Sequence, residues 1–83
     1  MEYKTQGTCS QFITFDVNDD ILSNVMFYGG CNGNLKGIGK LVEGRPVDEV
    51  ISLLDGIQCG YRPTSCPDQL ARALKQYKAT QEN

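Results

Sequence analysis

Four cysteines are the residues of this chain best suited to chemistry: Cys9, Cys31, Cys59 and Cys66. Each lies in a predicted loop or at the end of a predicted element, where thiols can converge on one point. Four thiolates suit tetrahedral zinc, and because the chain has no histidine, a protein-only site would use all four or borrow a carboxylate. There is no C-x-x-C pair. The spacing therefore also leaves open a dithiol that exchanges with a disulfide, an iron–sulfur cluster, or four unconnected buried cysteines.

Cys66 stands out among the four because it lies at a predicted helix start. Pro67 suits the first helical position, and Thr64 or Ser65 can cap the free amides. A helix N-terminus stabilises a thiolate, so Cys66 is the most plausible reactive or metal-binding sulfur. If the chemistry is dithiol exchange, Cys59 and Cys66 are the expected redox pair, since they are nearest in sequence.

A second candidate site is cationic. Lys36 and Lys40 follow a glycine- and asparagine-rich run, and Arg62 lies in the loop before the last predicted helix. Such a run can hold phosphate at a helix start, although neither a P-loop nor a G-x-G-x-x-G motif is present. These three residues are the candidates for binding an anion or nucleotide. They define an alternative function, a small nucleotide- or nucleic-acid-binding module.

Composition limits the possible functions. The 83 residues predict a single domain, 1–83, whose core is small enough that a metal or a partner subunit would help it. A net charge of -2 argues against a broad nucleic-acid-binding face.

Without histidine, a serine or cysteine nucleophile lacks its usual base, which disfavours a self-sufficient hydrolase. The polar N-terminus and the absence of a membrane-length apolar run predict a cytoplasmic protein with no membrane association. A mature fragment that has lost its signal peptide would show the same pattern.

Alternating polar and apolar residues predict strands over 3–8, 11–17 and 21–28, joined by short turns. Short connections require antiparallel pairing, so a three-stranded meander is expected. In the third strand, strict alternation places Val25 and Phe27 on one face. It places Leu22, Met26 and Tyr28 on the other. Apolar residues on both faces of this strand predict a homodimer or other homo-oligomer.

Apolar residues then recur at helical spacing from Leu35 to Val42, from Val47 to Leu54 and from about Pro67 to Tyr77, with 79–83 as a frayed end. Gly37 and Gly39 weaken the first helix, so a close neighbour is expected to require small residues there. Strands followed by helices predict an α+β fold, a meander with two to three helices packed on one face. The predicted core consists of Ile13, Phe15, Val25, Phe27, Ile51, Leu54, Leu70 and Leu74.

The run Thr64-Ser65-Cys66-Pro67-Asp68 resembles the TSCPD family, which takes its name from these five letters. The resemblance covers nearly the whole chain: Cys9-Ser10, the run from Gly29 to Leu35, and the run from Gly56 to Gly60 also match. The family includes small stand-alone four-cysteine proteins and the C-terminal domain of some ribonucleotide reductases, mostly cobalamin-dependent ones.

That resemblance implies an accessory or regulatory module linked to deoxyribonucleotide synthesis and so to DNA synthesis, with ribonucleotide reductase or a nucleotide as partner. The cysteines would form a zinc or thiol-redox site. The chain is too small to hold the barrel on which the ribonucleoside-diphosphate reductase reaction occurs, so it cannot catalyse that oxidoreductase chemistry alone. Whether the isolated chain has any activity is left open, as is a structural homodimer without chemistry.

Overall fold

The computed structural model describes residues 1–8, 10–30 and 32–81, and its elements follow the predicted order. They are β1 (Glu2–Lys4), β2 (Ser10–Asn18), β3 (Ile21–Gly29), α1 (Asn32–Val42), α2 (Val47–Leu54) and α3 (Cys66–Gln81). The strands form one antiparallel sheet in the order β1-β2-β3. The predicted α+β fold, a three-stranded meander followed by helices, is confirmed.

The first strand is shorter than predicted. It ends at Lys4; one further backbone bond joins the Thr5 N–H to the Gln11 carbonyl, and the chain then turns at Gly7, whose φ is 75°. The Thr5 hydroxyl donates to the Ser10 carbonyl within this turn. The hairpin between β2 and β3 is tight, since Asp19 and Asp20 both adopt positive φ, as a two-residue primed turn requires.

Strict alternation in β3 was the wrong expectation for Leu22, which is fully buried on the same side as Val25 and Phe27. The register explains the difference. Thr14 pairs with Met26 but Asp16 pairs with Ser23, so β3 has one extra residue in this interval. A bulge of this kind shifts every later side chain to the opposite face.

The core lies between one face of the sheet and the helices. All eight predicted core residues belong to it: four are buried, and Val25, Phe27, Ile51 and Leu54 pack against them. The structure adds Leu22, Val42, Val47, Val50 and Ala73. On the opposite face of the sheet Met26 and Tyr28 are exposed. Self-association through this face stays a prediction.

Helix α3 continues beyond its predicted end. It runs to Gln81, so the expected fraying from residue 79 is wrong for 79–81; residues 82 and 83 lie outside the described range. Two ion pairs join α3 to α2 and the residue after it: Lys78 pairs with Asp48 in α2, and Lys75 pairs with Asp55. Within the described residues, no helix is both long and apolar enough to span a bilayer.

Gly39 is the position in α1 where a close neighbour requires a glycine. A Cβ built at this position would lie 2.9 Å from the backbone oxygen of Val25 in β3. At Gly37 the same construction meets nothing within 4 Å. The predicted close neighbour is therefore the strand backbone, and it constrains only one of the two glycines.

This difference predicts opposite effects of the same substitution. Gly37→Ala should raise the free energy of unfolding by about 0.5 to 1 kcal/mol, because alanine is the better helix former. Gly39→Ala should lower it, because the added methyl group must push α1 away from Val25. Denaturant unfolding of both variants measures the effect. Equal stabilisation by the two substitutions would contradict the close packing of α1 on β3.

Candidate thiol site at the start of α3

Helix α3 begins with a side-chain cap. The Ser65 hydroxyl accepts a hydrogen bond from the Asp68 backbone N–H at 3.1 Å and donates to the Ile57 carbonyl at 2.7 Å. Cys66 is then the first helical residue, and Pro67 the second instead of the predicted first. Of the two predicted caps, Ser65 is the one used. Its second bond also fixes the loop that leads into the helix.

The Asp68 side chain is hydrogen-bonded to both ends of that loop. Its carboxylate is buried and accepts hydrogen bonds from the Thr64 hydroxyl and, at 2.6 Å, from the Gly56 N–H; it also pairs with Arg72 at 3.0 Å. Burial raises the pKa of the Asp68 carboxyl, but the bonds from Thr64 and Gly56 and the Arg72 charge outweigh it. The pKa therefore lies below its usual value, and the ionised form is the one that the fold stabilises.

Gln69 connects this loop to the segment before β2. Its side chain is buried, donates to the Thr64 hydroxyl at 2.9 Å and accepts from the Gln6 N–H at 3.1 Å. Gly7 packs tightly against the same threonine, since a Cβ there would lie 3.1 Å from the Thr64 methyl group. The segment that leads to Cys9 is thus held against the start of α3.

Ser10, the first residue of β2, joins the sheet to Cys66. Its hydroxyl lies 3.1 Å from the Cys66 sulfur, and both side chains are buried. In the register of β2 and β3, Ser10 pairs with Gly29 while Phe12 pairs with Tyr28, so Gln11 is an extra residue in β2. Without this bulge Ser10 would share the face of Phe12, away from the helices.

Cys59 is exposed and lies in the loop between α2 and α3. Its N–H donates to the Thr64 carbonyl at 3.3 Å, and its carbonyl accepts from the Arg62 N–H at 3.0 Å. The first of these bonds folds the loop back, so the backbone at Cys59 meets the chain two residues before Cys66.

We call Ser10, Gly29, Thr64, Ser65 and Cys66 the thiol junction. Cys9 precedes Ser10 in sequence, Cys31 follows Gly29 by two residues, and the Cys59 backbone is bonded to Thr64. Within residues 1–8, 10–30 and 32–81, no group of three or more metal-binding side chains is assembled, but Cys9 and Cys31 lie outside those residues. The four-cysteine site and its pairing therefore stay predictions.

Sequence patterns did not identify Ser10 or Gln69 as part of this site. Ser10 reaches Cys66 across 56 residues of sequence, and Gln69 reaches Gln6 across 63. Neither separation leaves a periodic signal. Only the local part of the junction, Ser65 with Cys66 at a helix start, was visible from the sequence.

The predicted cationic residues divide between two places. Lys36 and Lys40 line an open groove between α1 and β3, whereas Arg62 is not among the residues that line it. Arg62 is exposed in the loop that carries Cys59. The structure thus brings two of the three candidates for anion binding together.

Comparison with known proteins gives one match. The family model described as the TSCPD domain matches residues 1–78. Searches of curated proteins and of solved structures found no match.

The Asp68 network predicts a pH-dependent contribution to stability. At neutral pH, Asp68→Asn should lower the free energy of unfolding by about 1.5 to 3 kcal/mol, since it weakens hydrogen bonds to a charged acceptor. Because the folded state lowers the pKa of Asp68, the contribution is complete above the usual value of 3.8 and is lost as pH falls below it. Denaturant unfolding from pH 7 to pH 3 measures this gap between variant and parent.

Asp55→Asn is the matched control. Its carboxylate pairs with Lys75 while both side chains are about half exposed, so the loss should stay below about 1 kcal/mol. A gap for Asp68→Asn that is no larger than the control, or that persists unchanged at pH 3, would contradict the role assigned to Asp68.

Proposed function

The chain belongs to the TSCPD domain family, and from that membership we propose that it is an accessory module of ribonucleotide reduction whose four cysteines form one thiolate site. The family is associated with ribonucleotide reductase-like contexts. The role proposed for these 83 residues is to assist or regulate the radical reaction.

The observation that carries the cysteine site is the hydrogen bond between Ser10 and Cys66. It places the strand residue next to Cys9 at the buried sulfur, and the pairing of Ser10 with Gly29 places the segment leading to Cys31 at the same end of the sheet. Cys59 is tied to the junction through Thr64. Described residues close in sequence to Cys9 and Cys31 therefore lie near the start of α3, to which Cys59 is also bonded.

The surroundings of Cys66 support zinc as the bound group. Cys66 is buried, at a helix N-terminus, with a hydroxyl beside its sulfur, and such outer contacts orient a metal-bound thiolate. Cys9, Cys31, Cys59 and Cys66 would be the ligands, and zinc when bound would cross-link the loops. Ser10 holds the Cys66 sulfur, and Ser65 and Asp68 hold the helix start on which Cys66 lies.

A dithiol is the second candidate, favoured by the exposure of Cys59, whose backbone N–H bonds the Thr64 carbonyl two residues before the buried Cys66. One thiolate attacks an external disulfide, forming a mixed disulfide and releasing one thiol. The other thiolate then attacks the mixed disulfide and releases the second thiol. The pair gives up two electrons and two protons overall to the external disulfide.

Four single Cys→Ser variants separate these possibilities. If the thiolates share zinc, each variant should lose both bound metal and stability, because metal-binding energy is part of the folding energy. Metal content, thiol titration and melting midpoint are measured on each purified variant. Ser10→Ala is the control that keeps all four thiols: it should retain zinc, with affinity lowered by about 10- to 100-fold.

Other patterns identify other chemistry. A metal-free parent in which only Cys59 and Cys66 are needed to reduce an external disulfide would indicate dithiol exchange. Four metal-free variants that match both the stability and the disulfide reactivity of the parent would contradict either form of the site.

The accessory role has its own test. The purified chain should form a complex with the ribonucleotide reductase of its own cell and change the turnover of that enzyme, and the Cys66→Ser variant should do so less. Analytical ultracentrifugation and a reductase assay with and without the chain measure these effects. Unchanged turnover together with no complex would contradict this role while leaving the cysteine site standing.

A further inference from the structure

A groove runs between α1 and β3, the last strand of the sheet. It has a volume of about 770 Å³ and extends along residues 25–29 of β3. That volume is within the range of pockets that hold small organic ligands. Gly39 forms part of the lining, and its missing side chain lets α1 lie directly against the Val25 carbonyl.

Tyr28 lines this groove and is part of an aromatic stack. Phe12 in β2 stacks on Tyr28 with ring centroids 4.4 Å apart and planes inclined by 14°. Because β3 is the last strand of the sheet, Phe12 covers the side of Tyr28 that faces β2. The other ring face is turned away from β2, and Tyr28 is one of the residues that line the groove. A planar ring placed there would continue the stack.

Lys36 and Lys40 supply positive charge on the α1 side of the groove. They lie one helical turn apart, so they share a helix face. Among the described residues neither takes part in a salt bridge, although four other basic side chains do. The acidic residue of the lining, Glu43, accepts a hydrogen bond from the Asn24 N–H at 2.9 Å. The cationic groups remain available to an anion.

We propose that this groove binds a ligand in which a planar aromatic ring carries a phosphate group, with the ring stacked on Tyr28 and the phosphate between Lys36 and Lys40. Free nucleotides and single-stranded nucleic acid both present this chemistry. The proposal uses none of the four cysteines and is independent of the accessory role.

Amide chemical shifts of the isotope-labelled protein test the site with named probes. Adenosine 5′-monophosphate and uridine 5′-monophosphate should shift amides in 25–29 and 35–40 in a saturable way. Adenosine and inorganic phosphate, each lacking half of the chemistry, should do so more weakly. A single-stranded oligoadenylate that binds at the same residues more tightly per chain would identify a polymer as the source, and equal affinity would identify the free nucleotide.

Variants test the two halves of the site. Tyr28→Leu should weaken binding of the monophosphates at least about fivefold through lost stacking, and Tyr28→Phe should restore it. Lys36→Ala with Lys40→Ala should weaken binding and flatten its dependence on salt. Lys4→Ala is the matched control. Lys4 in β1 pairs with Phe12, which in turn pairs with Tyr28, but Lys4 does not line the groove. It should leave binding unchanged.

Several results would overturn the proposal. The absence of groove amide shifts with both monophosphates at millimolar concentration is one such result, and shifts that map to the loop around Arg62 instead are another. Phosphate acting as strongly as the monophosphates would remove the role of Tyr28, and adenosine acting as strongly would remove that of the lysines. A Lys4→Ala variant as impaired as the double lysine variant would reduce the effect to net charge.

Discussion

The buried carboxylate of Asp68 is the interaction on which the junction depends. It accepts bonds from the two ends of one loop, at Gly56 and Thr64, while its own backbone N–H bonds the Ser65 cap. A neutral side chain could not accept all these donors as strongly, because charge-assisted hydrogen bonds are roughly twice as strong as neutral ones. This ionised group therefore anchors both ends of the loop that carries Cys59 to helix α3, and the Ser65–Ile57 and Cys59–Thr64 bonds hold the loop between them.

Two β-bulges, each of one extra residue, determine which way the side chains near the candidate sites point. The extra residue at Gln11 turns Ser10 towards the helices, where its hydroxyl meets Cys66. The extra residue in β3 turns Leu22 into the core, and the nearby Asn24 has a φ of 55° and bonds Glu43 of the segment after α1. Bulges are common beside functional sites because they redirect one side chain without ending the sheet.

The sequence predicted what depends on local pattern. Alternation in β2 and helical spacing in α2 and α3 identified the elements and their buried faces, and Gly39 was correctly expected to have a close neighbour. The errors arose where tertiary contacts override pattern. Strict alternation misplaced Leu22 because a bulge leaves no periodic signal, and β1 was extended through Gly7, which turns to pack on Thr64. Ser10 was not identified as part of the site because it too is turned by a bulge, the one at Gln11, which leaves no periodic signal.

Gly29 connects the two proposed sites. It pairs with Ser10, whose hydroxyl contacts Cys66, and it also lines the groove beside Tyr28. A metal held by the loops around the junction and a ring stacked in the groove would both require the same pairing of β2 with the end of β3. Each would then stabilise the arrangement that the other binds, which is the thermodynamic condition for positive and reciprocal coupling between two sites.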